Sequence, residues 1–460
     1  MLVMKFGGTS VGVPAHCERA LNAVRERVAQ EPVVVVSALA GVTNQLVDLC
    51  RAGGARQPLV DAIAERHLEH ARALGVPARA VSGLLDALRA DPALSASAAP
   101  VHREDRDRVL AFGERLAAAL FAAALTARGV EAHAVHAGEA GLVTDDRFGQ
   151  ASPLPEAAAR LRSFLTGRRG VSIVTGFIGA TLDGRTTTLG RGGSDYTAAF
   201  LGSALGAAEI QIWTDTSGML SADPRVVPEA RPVPRLSFAE ACELAYFGAR
   251  VLHPKTLLPA MERGIPVRVL NTARPEHPGS LITATAETAS RGWRVKSIAS
   301  KPGITAVTIV STRMLLAHGF LARVFEVFGR HHVVVDLVTT SEVSISVTVD
   351  DTTHLDAAVA ELEGIGRVEM RRDLAVIAVV GEGAPTQVGL AGHVFTLLGG
   401  VGVPVEMISQ GASRVNLSFV VAGNEATRVV KLLHRGLGLD TEGADADAGE
   451  PATITVERFP

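Results

Sequence analysis

Short apolar runs alternate with helical patterns through the first part of the chain. Apolar residues dominate 1–6, 33–37, 171–175 and 210–214, and each run has the length of a buried strand. Intervening segments such as 55–95 are rich in alanine, leucine, arginine and glutamate, which predicts helices. Repeated strand–turn–helix units predict an α/β fold with a mainly parallel sheet and helices on both faces. Such sheets bind ligands at the carboxyl ends of their strands.

One helix of this region stands out by its length. Residues 108–127 are predicted to form a single long amphipathic helix that carries Glu114 on an otherwise apolar face. A carboxylate in that position is most often surface-facing, so Glu114 alone is weak evidence for a site. No apolar run is expected to be long enough to cross a bilayer.

The pattern changes after about residue 290, where two stretches resemble each other. Residues 319–349 and 389–421 lie about 70 residues apart, and each follows a short β-run. This spacing predicts a duplicated small α+β module. The predicted domains are 1–294, 295–372 and 373–460. The acidic segment 441–450 is predicted to be a flexible loop.

Bulk composition excludes several classes of protein. With 460 residues the chain has the length for two or three domains. A net charge of −3 and only 4% aromatic residues disfavour a nucleic-acid or membrane-surface protein. The three cysteines follow no pattern, so we expect reduced thiols and, with no signal peptide before Lys5, a cytoplasmic protein.

The first predicted strand ends in a candidate phosphate cradle. Lys5 precedes the turn, and Gly7, Gly8, Thr9 and Ser10 form it. Glycines leave backbone amides uncovered, and the start of a helix favours anions. Only five of the 45 basic residues are lysine, so a lysine here suggests a site that requires a compact ammonium. The alternative is an ordinary turn with a chance lysine.

A second candidate site is the polar run 186–195. It combines hydroxyls and glycines with Arg191, Ser194 and Asp195 ahead of a predicted helix. Arg191 suits a two-pronged contact with a carboxylate, and Asp195 suits a substrate ammonium, Lys5 or a metal-bound phosphate. The alternative is a solvated turn with a capped helix.

Further polar residues follow the next predicted strand. Thr214 and Asp215 close that strand, and Arg225 follows in an Asp-Pro-Arg turn that would reach a nucleotide phosphate. The alternative is turn chemistry alone.

Several known site motifs are absent from the sequence. It has no GxxxxGK[ST] loop, no GxGxxG after the first strand, and no GxSxG, HExxH or CxxC motif. The pair His331 and His332 would point to opposite faces of a strand. No protein metal site is therefore predicted.

Taken together, the motifs resemble those of the aspartate kinases of the amino acid kinase superfamily. The matching runs are KFGGTS at 5–10, SALAGVTN at 37–44, FGER at 112–115, GRTTTLGRGGSDYTAA at 184–199, IWTD at 212–215, DPR at 223–225 and FGARVLHP at 247–254. The repeat resembles the tandem ACT regulatory domains of that family, which are α+β and ferredoxin-like. The branch it resembles most is the single-function, lysine-inhibited one, without a homoserine dehydrogenase domain.

The resemblance implies phosphoryl transfer from ATP, with Mg²⁺, to the β-carboxylate of L-aspartate, the first step of the lysine, threonine and methionine pathway. The implied catalytic residues are Lys5, Asp195, Gly7 and Gly8. The implied substrate contacts are Thr43, Glu114, Arg191 and Ser194. The implied nucleotide contacts are Lys5, Gly7, Gly8, Thr9, Ser10, Thr214, Asp215, Arg225, Arg250 and Val251.

The resemblance also implies feedback inhibition by lysine. The implied effector contacts are Met314, Phe320, Leu321, Val335, Asp336, Ser341 and Glu342. A homodimer through the ACT domains, or a homotetramer, is expected. The chain departs from the family pattern at Arg250, usually lysine, at Leu220, usually aromatic, and at Ala317, usually serine. The first two changes bear on ATP affinity and the third on lysine binding.

Two other functions remain open at this stage. One is another amino acid kinase, acting on glutamate or acetylglutamate, which the ACT repeat and the FGARVLHP run disfavour. The other is an amino-acid sensor whose kinase half has decayed. The presence of Lys5, Arg191 and Asp195 disfavours decay, whereas Arg250 leaves room for it.

Overall fold

The structure is a computed structural model that describes residues 1–52, 56–95, 101–248, 252–286, 292–315, 317–411 and 414–440. The chain forms two compact units. The first unit comprises Met1–Met219, Pro234–Phe238 and Arg250–Ala286. The second unit comprises Leu220–Val233, Ala239–Ala249 and Glu287–Pro460.

Sixteen strands are assigned in the described residues. They are β1 (Leu2–Phe6), β2 (Pro32–Val36), β3 (Ala132–Val135), β4 (Val171–Thr175), β5 (Ile178–Ala180), β6 (Thr186–Thr188), β7 (Glu209–Thr214), β8 (Arg235–Ser237), β9 (Val267–Asn271), β10 (Ser280–Thr283), β11 (Ser297–Val310), β12 (Val338–Thr340), β13 (Ser344–Val349), β14 (Arg367–Val380), β15 (Met407–Ser409) and β16 (Asn416–Ala422).

Sixteen α-helices are assigned in the same residues. They are α1 (Gly8–Val11), α2 (Pro14–Arg25), α3 (Val42–Arg51), α4 (Gln57–Ala73), α5 (Arg79–Arg89), α6 (Pro92–Ser95), α7 (Arg103–Leu110), α8 (Phe112–Ala127), α9 (Ala157–Leu165), α10 (Gly193–Leu205), α11 (Phe238–Tyr246), α12 (Pro254–Arg263), α13 (Phe320–Arg330), α14 (Leu355–Leu362), α15 (Leu390–Gly400) and α16 (Ala426–Gly436).

The first unit is built on an eight-stranded sheet in the order β3-β4-β2-β1-β7-β9-β10-β8. All strand pairs are parallel except β9 with β10. Continuous β-branched and apolar runs suit strands that are buried on both faces. The prediction of a mainly parallel sheet is therefore confirmed. The order places β1 between β2 and β7, near the middle of the sheet.

Aromatic packing fixes the carboxyl end of β1. The ring of Phe6 stacks on Trp213 and on Phe121, each with centroids 5.7 Å apart. All three side chains are fully buried. Aromatic pairs at this separation add stabilisation beyond the area that they bury. The residues that follow Phe6 therefore leave the sheet from a rigid position.

The predicted long helix is found as two helices. α7 begins five residues before the predicted start, and Ala111 separates it from α8. Hydrogen bonds from Ala111 to Asp107 and from Arg115 to Ala111 keep the two helices nearly continuous. Contrary to the expectation from sequence, Arg103–Ala127 is long and apolar enough to cross a membrane. However, 78% of its most apolar window is buried inside the protein, as in a core helix.

The second unit is built on a six-stranded antiparallel sheet in the order β12-β13-β11-β14-β16-β15. Its two central strands, β11 and β14, have 14 residues each and pair along their whole length. Residues 305–310 of β11 also pair with β13, in the first repeat. Among the described strands, residues 297–302 pair with 375–380, in the second repeat.

The hydrophobic cores follow the same division. We call the two clusters the first and second repeat cores. The first includes Val307, Ile309 and residues of α13, β13 and α14. The second includes Ile298 and residues of β14, α15, β16 and α16. The two repeats therefore interlock through β11.

The domain boundaries predicted from the sequence, at 294/295 and 372/373, stay a prediction. The predicted flexible loop at 441–450 lies outside the described residues.

Because the two repeats share β11, a core truncation in this strand should destabilise one repeat more than the other, depending on its position. Ile298 is 1% exposed in the second repeat core, so Ile298→Ala should remove about 2–5 kcal/mol of local stability. Amide hydrogen exchange should accelerate in 375–380 and 417–421 more than in 345–349. Ile309→Ala, a matched truncation in the first repeat core, should give the reverse pattern. The same exchange pattern for both variants would contradict the division.

Candidate active site

A cleft lies at the carboxyl edge of the first unit's sheet, where the sequence places its polar clusters. Its volume is about 410 Å³. It brings together residues predicted from separate motifs, namely Lys5, Gly8, Thr43, Glu114, Arg191, Ser194 and Asp195. These residues come from β1, α1, α3, α8, the segment that leads into α10 and the first turn of that helix. The elements therefore meet at one edge of the sheet, where parallel sheets bind ligands.

Lys5 and Asp195 form an ion pair in this cleft. The Nζ atom of Lys5 lies 2.5 Å from Oδ1 of Asp195, although the angles are not those of a hydrogen bond. The side chains are 9% and 15% exposed, so the pair is largely shielded from water. Lys5 is the penultimate residue of β1, and Asp195 lies in the first turn of α10. The pair therefore links the centre of the sheet to the start of that helix.

The predicted cradle is divided between the cleft and the core. The Gly7 amide donates to the Trp213 carbonyl at 3.2 Å. The Ser10 hydroxyl is buried, where it donates to the Trp213 carbonyl and lies 2.7 Å from that of Thr272. Within the described chain, the amides of Gly8 and Thr9 have no acceptor. The two free donors of this turn are thus the amides of Gly8 and Thr9 rather than that of Gly7.

The run 186–195 turns directly into α10. Gly192 precedes the helix with a φ of +73°, a backbone conformation that residues other than glycine rarely adopt. Ser194 and Asp195 then occupy the first helical turn, where the positive end of the helix dipole favours an anion. Arg191 is exposed, and no carboxylate of the described residues pairs with its guanidinium. An exposed cation without a carboxylate partner among the described residues is thus available at the cleft.

Glu114 lines the cleft because α8 packs very closely against Ala38, two residues after the end of β2. A Cβ on Gly113 would lie 2.8 Å from that of Ala38, so the close approach requires glycine. The Ala38 amide then donates to Oε1 of Glu114 at 3.1 Å. Oε2 is buried and has no hydrogen-bond partner in the described part of the chain.

Burial raises the pKa of Glu114 to about 8, and the hydrogen bond from Ala38 only partly offsets this effect. The carboxyl group is therefore mainly protonated at neutral pH. A cation placed against Oε2 would stabilise the ionised form. The side chain suits an ammonium group that arrives with a ligand.

The predicted nucleotide contacts fall in different parts of the molecule. Thr214 ends β7, beside the end of β1, and Asp215 follows it; the Thr214 hydroxyl donates to Asp215 at 3.2 Å. Arg225 lies in the second unit and pairs with Asp223 in an exposed turn. Arg250 and Val251 lie outside the described residues. The exposed Thr9 is not among the residues that line the cleft.

The predicted effector residues lie in the second unit, in and around the first repeat. Asp336 has a side chain that is only 1% exposed, and its Oδ2 lies 3.1 Å from Nζ of Lys301. Tyr246 donates a hydrogen bond to the same carboxylate, and Lys301 also pairs with Asp350 at 2.7 Å. An internal ammonium therefore already occupies the carboxylate predicted to meet an effector.

The other predicted effector residues differ in burial. Phe320 is in the first repeat core, and Met314 and Val335 pack against it. Leu321, Ser341 and Glu342 are exposed, and the Ser341 hydroxyl lies 2.7 Å from that of Ser344.

Two residues near the cleft were missed by sequence reasoning. Phe177 lines it with φ of +67°, an uncommon conformation for a bulky side chain. Asp107 is 1% exposed and accepts the amides of Gly149 and Thr188. Burial raises the pKa of Asp107, and the amide hydrogen bonds oppose this effect. A phenylalanine between glycines after a strand was the available signal for Phe177.

Comparison with known proteins identifies the family to which the chain belongs. The amino acid kinase family model matches residues 1–271, and an ACT domain model matches 307–364 and 377–437. Lysine-sensitive aspartokinase 3 of Escherichia coli is 39% identical over 95% of this chain and 99% of its own. The chain belongs to the aspartokinase family. Aspartokinase 1, chloroplastic, of Arabidopsis thaliana is also 39% identical, over 94% of this chain and 79% of its own.

Solved structures of the family match along nearly the whole chain. Aspartokinase III of E. coli in complex with aspartate and ADP, in its R-state, has a TM-score of 0.80 at 37% identity. The same protein in complex with lysine and aspartate, in its T-state, has a TM-score of 0.75 at 38% identity. Both matches cover 95% of this chain and 99% of the other. The prediction of an aspartokinase with ACT domains is thus confirmed.

The raised pKa of Glu114 predicts a pH-dependent stability effect. Between its usual pKa of 4.5 and about 8, the unfolded carboxyl is ionised while the folded one keeps its proton. The wild-type protein therefore loses stability as pH rises through this window. Glu114→Gln removes the titration, so its melting temperature relative to wild type should increase from pH 5 to pH 8.5. A difference that stays constant between the two pH values would contradict the assignment.

Proposed function

We propose that this protein is an aspartate kinase that transfers the γ-phosphoryl group of MgATP to the β-carboxylate of L-aspartate. The bond between the γ-phosphorus and the bridging oxygen breaks, a carboxylate oxygen bonds to phosphorus, and the products are ADP and 4-phospho-L-aspartate. The observation that carries the proposal is the cleft that places the Lys5–Asp195 pair, Arg191 and the buried Glu114 together.

The reaction requires no general base, because the attacking carboxylate is already ionised at neutral pH. Its difficulty is that two anions must come together. Lys5 supplies a fixed positive charge for the transferring group, with the free amide of Gly8 beside it. Asp195 holds the ammonium in place. Donors arranged before the reaction stabilise the developing charge without further reorganisation.

The ends of the amino acid would be held by opposite walls of the cleft. Glu114 would face the substrate ammonium, which favours ionisation of that buried carboxyl. Arg191 would hold the α-carboxylate, with Thr43 and Ser194 as hydroxyl donors. This arrangement leaves the β-carboxylate directed toward Lys5, and it selects an amino acid with a second acidic group.

The nucleotide would lie along the carboxyl ends of β1 and β7, at Thr9, Thr214 and Asp215, with Mg²⁺ arriving on ATP as part of the substrate. The Gly7 amide and the Ser10 hydroxyl already have internal partners, so we assign them a supporting role in this cradle. Arg225, Arg250 and Val251 remain proposed contacts.

We also propose a cytoplasmic homodimer, with a homotetramer as the alternative. The ACT repeats would form the dimer contact. The product would enter lysine, threonine and methionine synthesis, including the diaminopimelate route to lysine.

The central test removes the Lys5 ammonium. Lys5→Ala should lower turnover with aspartate by about 10²–10³-fold, the usual cost of losing one arranged donor. An assay of ADP release over aspartate, glutamate and acetylglutamate measures both activity and substrate choice. Aspartate should be the preferred acceptor.

Lys431→Ala is the matched control, because Lys431 is an exposed lysine on α16 of the second unit. Its turnover should equal that of the wild type. Circular dichroism should show both variants folded. A folded Lys5→Ala variant with wild-type turnover would exclude the proposed mechanism, and preference for another acceptor would exclude the substrate.

Lysine inhibition is proposed through Asp336. The ammonium of a bound lysine would have to share or displace the internal Lys301 ammonium from this buried carboxylate. Inhibition then arises if lysine binds one conformation of the protein better than the other.

Asp336→Asn should therefore abolish inhibition by lysine while leaving activity without lysine within about 3-fold, since a regulatory contact is removed and the cleft is not. Asp350→Asn is the control, because Asp350 pairs with the same Lys301 but is 39% exposed. The Asp350→Asn variant should still be inhibited by lysine. Dose–response curves with lysine measure the difference, and equal loss in both variants would point to Lys301 instead of a ligand contact.

A further inference from the structure

Asp107 is a buried carboxylate of the first unit, and in the described residues its side chain forms no hydrogen bond or ion pair with the predicted substrate residues. It is 1% exposed at the fifth position of α7. Its Oδ2 accepts the amide of Thr188 at 2.7 Å and that of Gly149 at 2.8 Å. A charged acceptor with two amide donors makes stronger hydrogen bonds than a neutral one.

These two amides belong to the segments behind Arg191. Thr188 ends β6, three residues before Arg191, and its carbonyl accepts the Ala151 amide at 2.9 Å. Gly149 lies in the adjacent turn, against the backbone of Gly190. Asp107 therefore ties α7, the turn at 149–151 and the end of β6 at one point.

A second contact supports the same docking. Glu104, on α7, pairs with Arg185 just before β6 at 3.3 Å. Both side chains are more than a third exposed, so this pair contributes little by itself. Of these two links between α7 and the β6 segment, the buried contact of Asp107 is the stronger one.

The helical path of α7 continues into Glu114. Asp107 and Glu114 are seven residues apart, about two helical turns, with hydrogen bonds through Ala111. One continuous path thus carries the carboxylate that would bind the substrate ammonium and the carboxylate that holds the backbone behind Arg191. This path connects the segments that carry the two groups proposed to bind the substrate.

We propose that Asp107 is a positioning residue for aspartate binding: it fixes the distance between Arg191 and Glu114 by anchoring the end of β6 to α7. The inference rests on the proposed function, because Arg191 and Glu114 are taken as the two ends of the amino acid site. It assigns no contact between Asp107 and the substrate.

Kinetics of the full-length protein test the role. Asp107→Ala should raise the KM for aspartate by about 10–100-fold, because a small displacement of a binding group is costly. The KM for ATP should change by less than about 3-fold. Asp107→Asn keeps an oxygen that can accept both amides, so it should return the aspartate KM to within about 5-fold of wild type. If Asp107→Ala does not fold, the KM for aspartate of Asp107→Asn can still be measured, and a rise above about 5-fold would contradict the positioning role.

Asp91→Ala is the matched control for a purely structural role. Asp91 is a buried carboxylate, 5% exposed, that binds Arg108 of α7, and no hydrogen bond joins its side chain to β6 in the described residues. It should lower the melting temperature and leave the KM for aspartate within about 2-fold, since no substrate-binding group depends on it.

A double variant tests whether Asp107 acts through Arg191. In an Arg191→Ala background, Asp107→Ala should change kcat/KM for aspartate by less than about 3-fold, because the group that it positions is gone. Full additivity of the two effects would overturn the inference.

The outcomes separate this inference from the proposed function. If wild type phosphorylates aspartate and Asp107→Ala keeps its aspartate KM, the function stands and the positioning role is excluded. Equal rises in the KM values for aspartate and ATP in the variants of Asp107 and Asp91 would also exclude it. A wild-type protein that phosphorylates no aspartate overturns both.

Discussion

The site depends on keeping one ammonium group charged in a place from which water is nearly excluded. Lys5 stands at the end of β1, near the middle of the sheet, and is 7% exposed. An unpaired charge there would be costly, so the fold must supply a carboxylate, and Asp195 does so from the first turn of α10. Sheet order, the stacking of Phe6 and the glycine turn into α10 all serve to place these two atoms.

A different balance of charge governs the two groups of the cleft that are proposed to bind the substrate. Glu114 is held without a cation, and burial keeps its proton on at neutral pH. Arg191 is left without a carboxylate partner among the described residues. Glu114 is a buried acid and Arg191 is an exposed cation, and no charged side chain of the described residues pairs with either. The two groups are therefore complementary to the opposite charges of a zwitterion. In the second unit, by contrast, Lys301 satisfies the buried Asp336 internally.

Much of this arrangement was predictable from the sequence. Apolar runs located the strands, and the rule that ligands bind at carboxyl ends of parallel strands brought Lys5 and Asp195 to one edge although they are far apart in the chain. Asp107 was not predictable in the same way. It lies in a polar helical turn rich in charged residues, and only the packing of α7 on β6 distinguishes it from its exposed neighbours.

The partners of single atoms were also beyond sequence reasoning. Ser10 belongs to a run of hydroxyls suited to phosphate, yet its side chain is directed toward Trp213 of β7 and Thr272, the residue after β9. The pairing of Asp336 with Lys301 depends on the register of β11, and no local pattern encodes that register. Residue type and spacing thus indicate which chemistry is present, whereas tertiary packing decides which groups are still free to bind.

The shared strands of the second unit have an evolutionary and mechanical consequence. Because β11 gives its first half to one repeat and its second half to the other, neither repeat is a closed globule in the order of the chain. Loss of the carboxyl-terminal repeat would leave 297–302 as an unpaired edge, open to aggregation. A duplication whose copies share a strand in this way can diverge in its ligand sites, but neither copy can be removed without exposing a strand edge of the other.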